Sequence, residues 1–293
     1  MDILLIVTLG VLGALLGSFA AAQVWRFRAR QLIEDERDGE PVDKRELQRL
    51  RVLQRPVHRD RSECLHCHHT LAWYDLLPVI SWLSLRGKCR YCGKRIGTME
   101  LAAEVGLAVV FVLSYLAWPY ALHSALQVAA FIVWLAACTL GAILLMYDAK
   151  WSLLPFGINC TLIAVAAGFV ALQIAASMPV DGVSMIGAVA LLGGLYLLFS
   201  LLGWVGMGDG ILGVGLGLLL GDWQLAFLTL FLANLLGCLM LIPLYVRKKL
   251  HRKVKIPFGP FLIVAAFISF LYGKAIILAI FGTSSLLANL LML

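Results

Sequence analysis

Two groups of residues in this chain have the types and spacing that do chemistry. Cys64-Leu-His-Cys67 and Cys89-Arg-Tyr-Cys92 are two CxxC pairs separated by 21 residues, close to the spacing of a four-cysteine zinc site. Each pair offers two thiolates from one tight turn, and Gly93 follows the second pair, where a knuckle often needs positive φ. Four sulfur ligands close a tetrahedron and leave no position for water, so the Zn2+ expected here is structural. His66, His68 and His69 crowd the first pair and are read as neighbours of the metal rather than ligands. The second group is acidic. After residue 105 the chain has only four carboxylates, Asp148, Asp181, Asp209 and Asp222, and an ionisable group at membrane depth is costly enough to mark a functional site. Asp181 and Asp222 stand at breaks assigned to the outer face and receive no role; Asp148 and Asp209 are the candidate catalytic pair. Peptide hydrolysis by two carboxylates needs one ionised to activate water and one protonated to polarise the carbonyl, and a close dyad shares a proton. Gly206 and Gly208 precede Asp209 and Gly210 follows it, which permits an unwound backbone and close approach of an extended substrate. Alone, that tetrapeptide also fits a flexible turn with Asp209 as a helix N-cap.

The elements that must hold these residues are membrane helices. Of the 293 residues 61% are hydrophobic and 14% charged, against about a quarter charged in an ordinary globular chain. The expected fold is an all-α polytopic membrane protein with about eight transmembrane helices and a small cytoplasmic zinc-binding domain after the first helix. The apolar runs place helices near 3–25, 101–118, 122–147, 153–177, 183–204, 210–221, 224–246 and 257–273, with the tail 275–293 read as interfacial or as a further partial helix. The domains follow as a first helix at 1–25, a cytoplasmic domain at 26–100 and a membrane core at 101–293. No basic residue precedes the first run and Arg26, Arg28 and Arg30 follow it. That is the reverse of a cleavable signal, and it places the amino terminus outside.

Sixteen of the 24 Lys+Arg residues fall between Arg26 and Arg95 and six between Arg247 and Lys255. The net charge of +7 is therefore a basic cytoplasmic face whose partner is anionic membrane lipid, and no nucleic acid is implied. Six helices separate the two basic loops, an even number, so the breaks at Asp148 and Asp209 share the cytoplasmic side. Within the first loop, Leu47, Leu50 and Leu53 recur at helical spacing between 42 and 53; that helix lies on the membrane or packs on the neighbouring domain. The aromatic segment from Trp73 to Trp82 reads as small-domain core and membrane anchor, and Cys138, Cys160 and Cys238 as small buried hydrophobes.

Taken in order, these residues resemble the type IV prepilin peptidase family, the GxGD-type membrane aspartyl proteases. The resemblance rests on Gly17-Ser18-Phe19 with Trp25-Arg26; the two CxxC pairs; Trp73-Tyr74-Asp75 with Pro78; Ser81-Trp82-Leu83; Leu85-Arg86-Gly87-Lys88-Cys89; Glu104; Asp148 with Pro155; Gly206-x-Gly208-Asp209; and Pro257-Phe258-Gly259-Pro260. It implies a bacterial inner-membrane enzyme that removes the short basic leader from type IV pilin or pseudopilin precursors after a glycine, with Asp148 and Asp209 catalytic. Many bacterial members also methylate the new amino terminus with S-adenosylmethionine, an activity associated with the cytoplasmic loop and here with Glu104. The chain departs from the family pattern in three places: Ala21 replaces its usual asparagine, Met99-Glu100-Leu101 its Arg-Tyr-Pro, and Ile211 its lysine. The alternative of a different class is a non-enzymatic transporter or assembly-platform protein with a zinc-dependent docking domain. A transporter should carry polar groups through the full membrane depth; acids gathered at one face favour the protease.

Overall fold

The computed structural model describes residues 3–54, 61–203, 205–246 and 257–291; the basic stretch Arg247–Lys255 lies outside them. The chain divides into two units, Met1–Tyr115 and Leu116–Leu293.

In the first unit α1 runs over Ile3–Arg37, 35 residues or about 52 Å of helix, well beyond the ~30 Å of bilayer hydrocarbon. Its first half exposes Leu4, Val7, Val11, Leu15 and Phe19, as a lipid-facing helix does. Past Trp25 the helix does not stop where its apolar run stops. Arginine, glutamine and glutamate are good helix formers, and Ala29 and Leu32 are buried against Leu47 and Leu50. Those leucines belong to α2, Lys44–Leu50, capped by the Asp43 carboxylate on the Arg45 and Glu46 N–H groups, and Arg28 bridges to Glu46 at 2.9 Å. The 42–53 segment is thus packed on the stem of α1. A cysteine-bearing loop containing the short α3, Ile80–Ser84, leads to α4, Met99–Leu116. The two membrane helices meet through Gly17, where a Cβ would run into the Ala103 carbonyl, which explains the first glycine of the Gly-Ser-Phe motif.

The second unit contains α5 (Ala125–Trp151), α6 (Phe156–Ala175), α7 (Gly182–Leu201), α8 (Met207–Leu220), α9 (Trp223–Val246) and α10 (Gly259–Leu291). Among the described residues seven helices of the whole chain are long and apolar enough to cross a membrane, and α8 is a shorter apolar one. The all-helical membrane fold expected from composition is the one observed. The tail expected as a separate piece is continuous with α10, which keeps its hydrogen-bonded ladder through Leu291.

At 14 residues, α8 spans only about 21 Å. It persists because it is enclosed, packing on α6, α7, α9 and α10. Its glycines let neighbours come close: Gly213 lies under the Leu192 carbonyl, and a Cβ on Gly217 would sit 2.8 Å from the Val189 Cα. The facing stretch of α7, Ala190–Gly194, is a π-helical turn, a local widening that commonly marks functional regions. Replacing Gly213 by Leu should cost at least about 1–3 kcal/mol through overpacking, read as a lower thermal unfolding midpoint in detergent. The same change at Gly168, whose Cβ direction is open, should leave the midpoint in place. At the other end of the unit Trp134 stacks on Phe270 at 3.8 Å, with Trp118, Phe131 and Phe169 around them, which ties α5, α6 and α10 together.

Candidate functional site

In the first unit the four cysteines converge. The sulfurs of Cys64, Cys67, Cys89 and Cys92 lie within 4.8 Å of one another, and Cys64 Sγ and Cys92 Sγ are 3.9 Å apart. A tetrahedron with ~2.3 Å zinc–sulfur bonds has edges of about 3.8 Å, so the sulfur arrangement fits zinc. Each pair sits on a two-strand bridge, Glu63 with Thr70 and Lys88 with Arg95, and the residue after each pair, His68 or Gly93, has positive φ (56° and 68°). The two knuckles are therefore built alike, with a histidine strained into a position that glycine fills without cost in the other. Burial pushes the Cys64 thiol up to about 12. Burial also opposes ionisation of Cys89, but the N–H groups of Cys92 and Tyr91 outweigh it and bring that thiol down to about 7. Four thiolates this close repel one another, and a divalent cation is what lets all of them ionise together. The histidines are not in the cluster; His69 stacks on Tyr91 at 3.6 Å.

The loop between the pairs is held by acids. Asp75 accepts from Arg90 Nε at 2.8 Å and from Tyr91 Oη at 2.9 Å, joining the Trp73–Leu76 turn to the second knuckle. Burial works against its charge, but these donors hold its carboxyl below the usual carboxylate range. Glu104, buried in α4, accepts from the Val79 N–H at 2.7 Å. Val79 has φ +62°, a costly conformation for a β-branched residue, so Glu104 stabilises a strained turn. One turn earlier Glu100 takes the Trp25 indole N–H on Oε1 at 3.1 Å, while its Oε2 is buried with no hydrogen-bond partner among the described residues.

In the second unit Asp148 lies inside the last turns of α5 and not at the break that its charge suggested. The helix continues to Trp151 and closes on Ser152 in the left-handed conformation, whose N–H bonds the Asp148 carbonyl at 2.7 Å. The Asp148 side chain is only 4% exposed, and its Oδ2 accepts the Gly259 N–H at 2.9 Å. Asp209 is likewise inside α8, in its first turn; Gly206 is the extended N-cap and Gly208 is already helical. The unwinding expected of the glycines is confined to the residues before Met207. Gly208 instead allows contact, since a Cβ there would sit 2.8 Å from Leu154 Cβ. Its carbonyl accepts the Asn159 amide at 3.3 Å, and Asn159 is wholly buried with its Oδ1 unpartnered among the described residues.

The fold thus brings Asp148 and Asp209 within electrostatic reach of each other, with Tyr196 of α7 within reach of Asp209 and packed on Phe258 at 5.5 Å. The remaining two acids do structural work. Asp181 caps α7 through Val183 and Ser184, and Asp222 accepts from Gln224 at the start of α9. Asp209, near Gly206, is placed to share a capping duty. Asp148 is not: a negative charge at a helix C-terminal end is unfavourable for that helix. Of the three membrane cysteines, Cys138 is half-buried and Cys160 and Cys238 are exposed on helices that face lipid; the expected burial fails because thiols are equally at home in lipid and in a protein core.

The polytopic helices and the four-cysteine cluster are those of a multi-pass membrane protein with a small metal-binding module, and residues 11–118 match the family model described as the bacterial peptidase A24 N-terminal domain. A protein of Aeromonas hydrophila called prepilin leader peptidase/N-methyltransferase is 35% identical over 224 residues, covering 74% of this chain and 73% of its own length. One of Pseudomonas putida with the same name is 32% identical over 281 residues, 91% of this chain and 90% of its own. This chain belongs to the prepilin leader peptidase/N-methyltransferase family. No solved structure matches it. Asn159, Tyr196 and the contact of Gly259 with Asp148 were not assigned from sequence. An asparagine in the apolar run 156–175 was the only local signal for the first.

Proposed function

We propose that this chain is an intramembrane aspartyl endopeptidase that removes the basic leader from type IV pilin or pseudopilin precursors at the cytoplasmic face of the bacterial inner membrane. The observation that carries the reading is Asp148, a carboxylate buried in a membrane helix at the helix end least suited to it, within electrostatic reach of Asp209. In the reaction one carboxylate takes a proton from water as the oxygen attacks the scissile carbonyl. The protonated partner gives its proton to the carbonyl oxygen. The tetrahedral intermediate then collapses with proton transfer to the leaving nitrogen, and the dyad returns to one shared proton. Tyr196, Phe258 and Gly259 bound the centre, and Asn159 holds the Gly208 backbone beside it.

Charge supports the orientation. Arg26, Arg28 and Arg30 follow the lipid-facing part of α1, which favours an outer amino terminus. With Asp222 at the outer face, the ~21 Å of α8 ends about 9 Å short of the opposite hydrocarbon boundary. Asp209, two residues further along, then lies about 12 Å below that boundary, in the cytoplasmic half of the apolar layer, where a membrane-embedded precursor presents its leader junction. The zinc module meets anionic headgroups through Trp73, Ile80 and Leu83, all exposed, beside Arg86 and Lys88.

The methyltransferase activity in the relatives' name extends the reading to this chain. S-adenosylmethionine supplies an electrophilic methyl group to the new terminal amine. Glu104, expected to serve that activity, has its carboxylate engaged with Val79 and acts on it by holding the turn. Glu100, with a buried oxygen to spare, fits a cationic cofactor. The test is mass spectrometry of a pilin precursor incubated with the detergent-solubilised protein, with and without S-adenosylmethionine. Loss of the leader, plus one methyl when the cofactor is added, is the expected result. An intact precursor would overturn the peptidase assignment, and cleavage without a methyl would remove the second activity.

A further inference from the structure

We propose that the backbone N–H of Gly259 positions the Asp148 carboxylate for the reaction, and that residue 259 must carry no side chain for this to work. The inference rests on Asp148 being catalytic. Gly259 begins α10, where the first-turn N–H groups have no partner within their own helix. Its N–H points out of α10 onto Asp148 Oδ2 at 2.9 Å, a buried bond between residues 111 apart in sequence. The neighbours isolate that donor. Pro260 has no N–H, and the Phe258 carbonyl is engaged by the N–H groups of Phe261 and Leu262. A Cβ on residue 259 would lie 2.7 Å from Asp148 Oδ2, 3.3 Å from its Cγ and 3.5 Å from its Cβ. The carboxylate, 4% exposed, has little room to yield, so any side chain both crowds it and breaks the hydrogen bond. With Oδ2 tied to Gly259, the carboxylate cannot spin about its Cβ–Cγ bond, and Oδ1 is the oxygen left to exchange a proton in the reaction. Phe258 extends the same turn to Tyr196 at 5.5 Å, beside Asp209, so one turn ahead of α10 braces the surroundings of both acids.

The experiment compares Gly259→Ala with Gly168→Ala, a change into open space within α6. Gly259→Ala should lower kcat about 100-fold, the scale of a misplacement near 1 Å. KM for the precursor should stay within about threefold, and the protein should stay folded, with a thermal midpoint lowered only by the few degrees that one crowded contact and one lost hydrogen bond account for. Gly168→Ala should turn over as the parent does. A Gly259→Ala protein with parental kcat overturns the proposal, as does a folded one whose KM rises in step with the fall in kcat. Should that variant fail to fold, amide hydrogen exchange in the intact protein decides. Between Pro257 and Pro260 only Phe258 and Gly259 carry amide hydrogens, and Asp148→Ala should speed exchange there by about tenfold or more; unchanged exchange overturns the proposal. Full cleavage by Asp148→Asn sinks the aspartyl reading itself, whereas an inactive Asp148→Asn beside a fully active Gly259→Ala sinks only the role of Gly259.

Discussion

Asp148→Asn and Asp209→Asn should each abolish leader cleavage, with kcat reduced by at least about 10^3-fold, because each removes one half of a proton relay worth about 10^2–10^4. The protein should meanwhile stay folded. Asparagine keeps the shape of aspartate, and in the Asp148→Asn variant the new side-chain carbonyl can still accept the Gly259 N–H that now reaches Asp148 Oδ2. At position 209 the substitution leaves the helix start intact, since the N-cap is Gly206 and the Asp209 N–H bonds the Gly206 carbonyl at 3.1 Å. Loss of the buried charge at Asp148 removes a cost rather than a support, so that variant should melt no lower than the parent. Precursor turnover in detergent, followed by mass spectrometry beside a thermal melt, separates these effects. Parental turnover in either variant would defeat the dyad, and inactivity accompanied by unfolding would turn the aspartates into structural groups. The contrast with Asp181 and Asp222 sharpens the test. Those carboxylates cap helices, and asparagine caps nearly as well, so their asparagine variants should lose at most about 0.3–1 kcal/mol through the missing charge and keep their turnover.

What the sequence revealed and what it concealed divide along the range of the interactions. The helices were visible because lipid imposes one demand on every residue of a span, namely that it be apolar and hydrogen-bonded within its own helix, and such a demand is read without knowing any neighbour. The cysteine module was visible because its ligands come as two local pairs. Ends were harder. A charge reads as a break, yet Asp148 and Asp209 both sit within helices, since a buried acid next to a helix end does not stop the backbone ladder. The length of α1 was concealed for a similar reason: the residues after Trp25 are polar, and only the burial of Leu32 against Leu47 and Leu50 shows why they remain helical. The contacts around the acids lay furthest from view. Gly259 reaches Asp148 across 111 residues and Asn159 reaches Gly208 across 49, and no periodicity or composition carries such a pairing. Gly259 was conspicuous only as a glycine between a phenylalanine and a proline, without a reason for its lack of a side chain. Gly208 shows the opposite error. Unwound backbone was expected there as at Gly206, which is extended, whereas Gly208 is helical and allows close packing on Leu154.

Removing the metal, or one of its ligands, should produce the largest effect on stability in the first unit. Cys64→Ser and Cys92→Ser each take away a thiolate from sulfurs now 3.9 Å apart, and a hydroxyl is a poor zinc ligand. Zinc bound per chain, measured by elemental analysis, should fall from about one to near zero in both variants. The consequence follows from how little else holds residues 61–97 together. This segment has only two isolated bridges and short helical turns, and it exposes Trp73, Ile80 and Leu83 instead of gathering them into a core. A module of that size takes its folding free energy largely from the metal, on the order of 10 kcal/mol for structural zinc sites. The ion pair of Arg90 with Asp75, 2.8 Å long but with its arginine half exposed, contributes about 1 kcal/mol at most and cannot substitute for it. Limited proteolysis should therefore cut between Arg61 and Arg95 in the serine variants and in chelator-treated protein, but not in the parent with zinc. The membrane helices should be spared, because their stability rests on packing within the apolar layer. Zinc retained at the parental ratio in Cys64→Ser would count against a four-thiolate site and bring His66 or His69 back as a replacement ligand. Lost zinc with unchanged protease resistance would show instead that the loop is held by Asp75 and Glu104, whose hydrogen bonds to Arg90, Tyr91 and Val79 would then outweigh the metal.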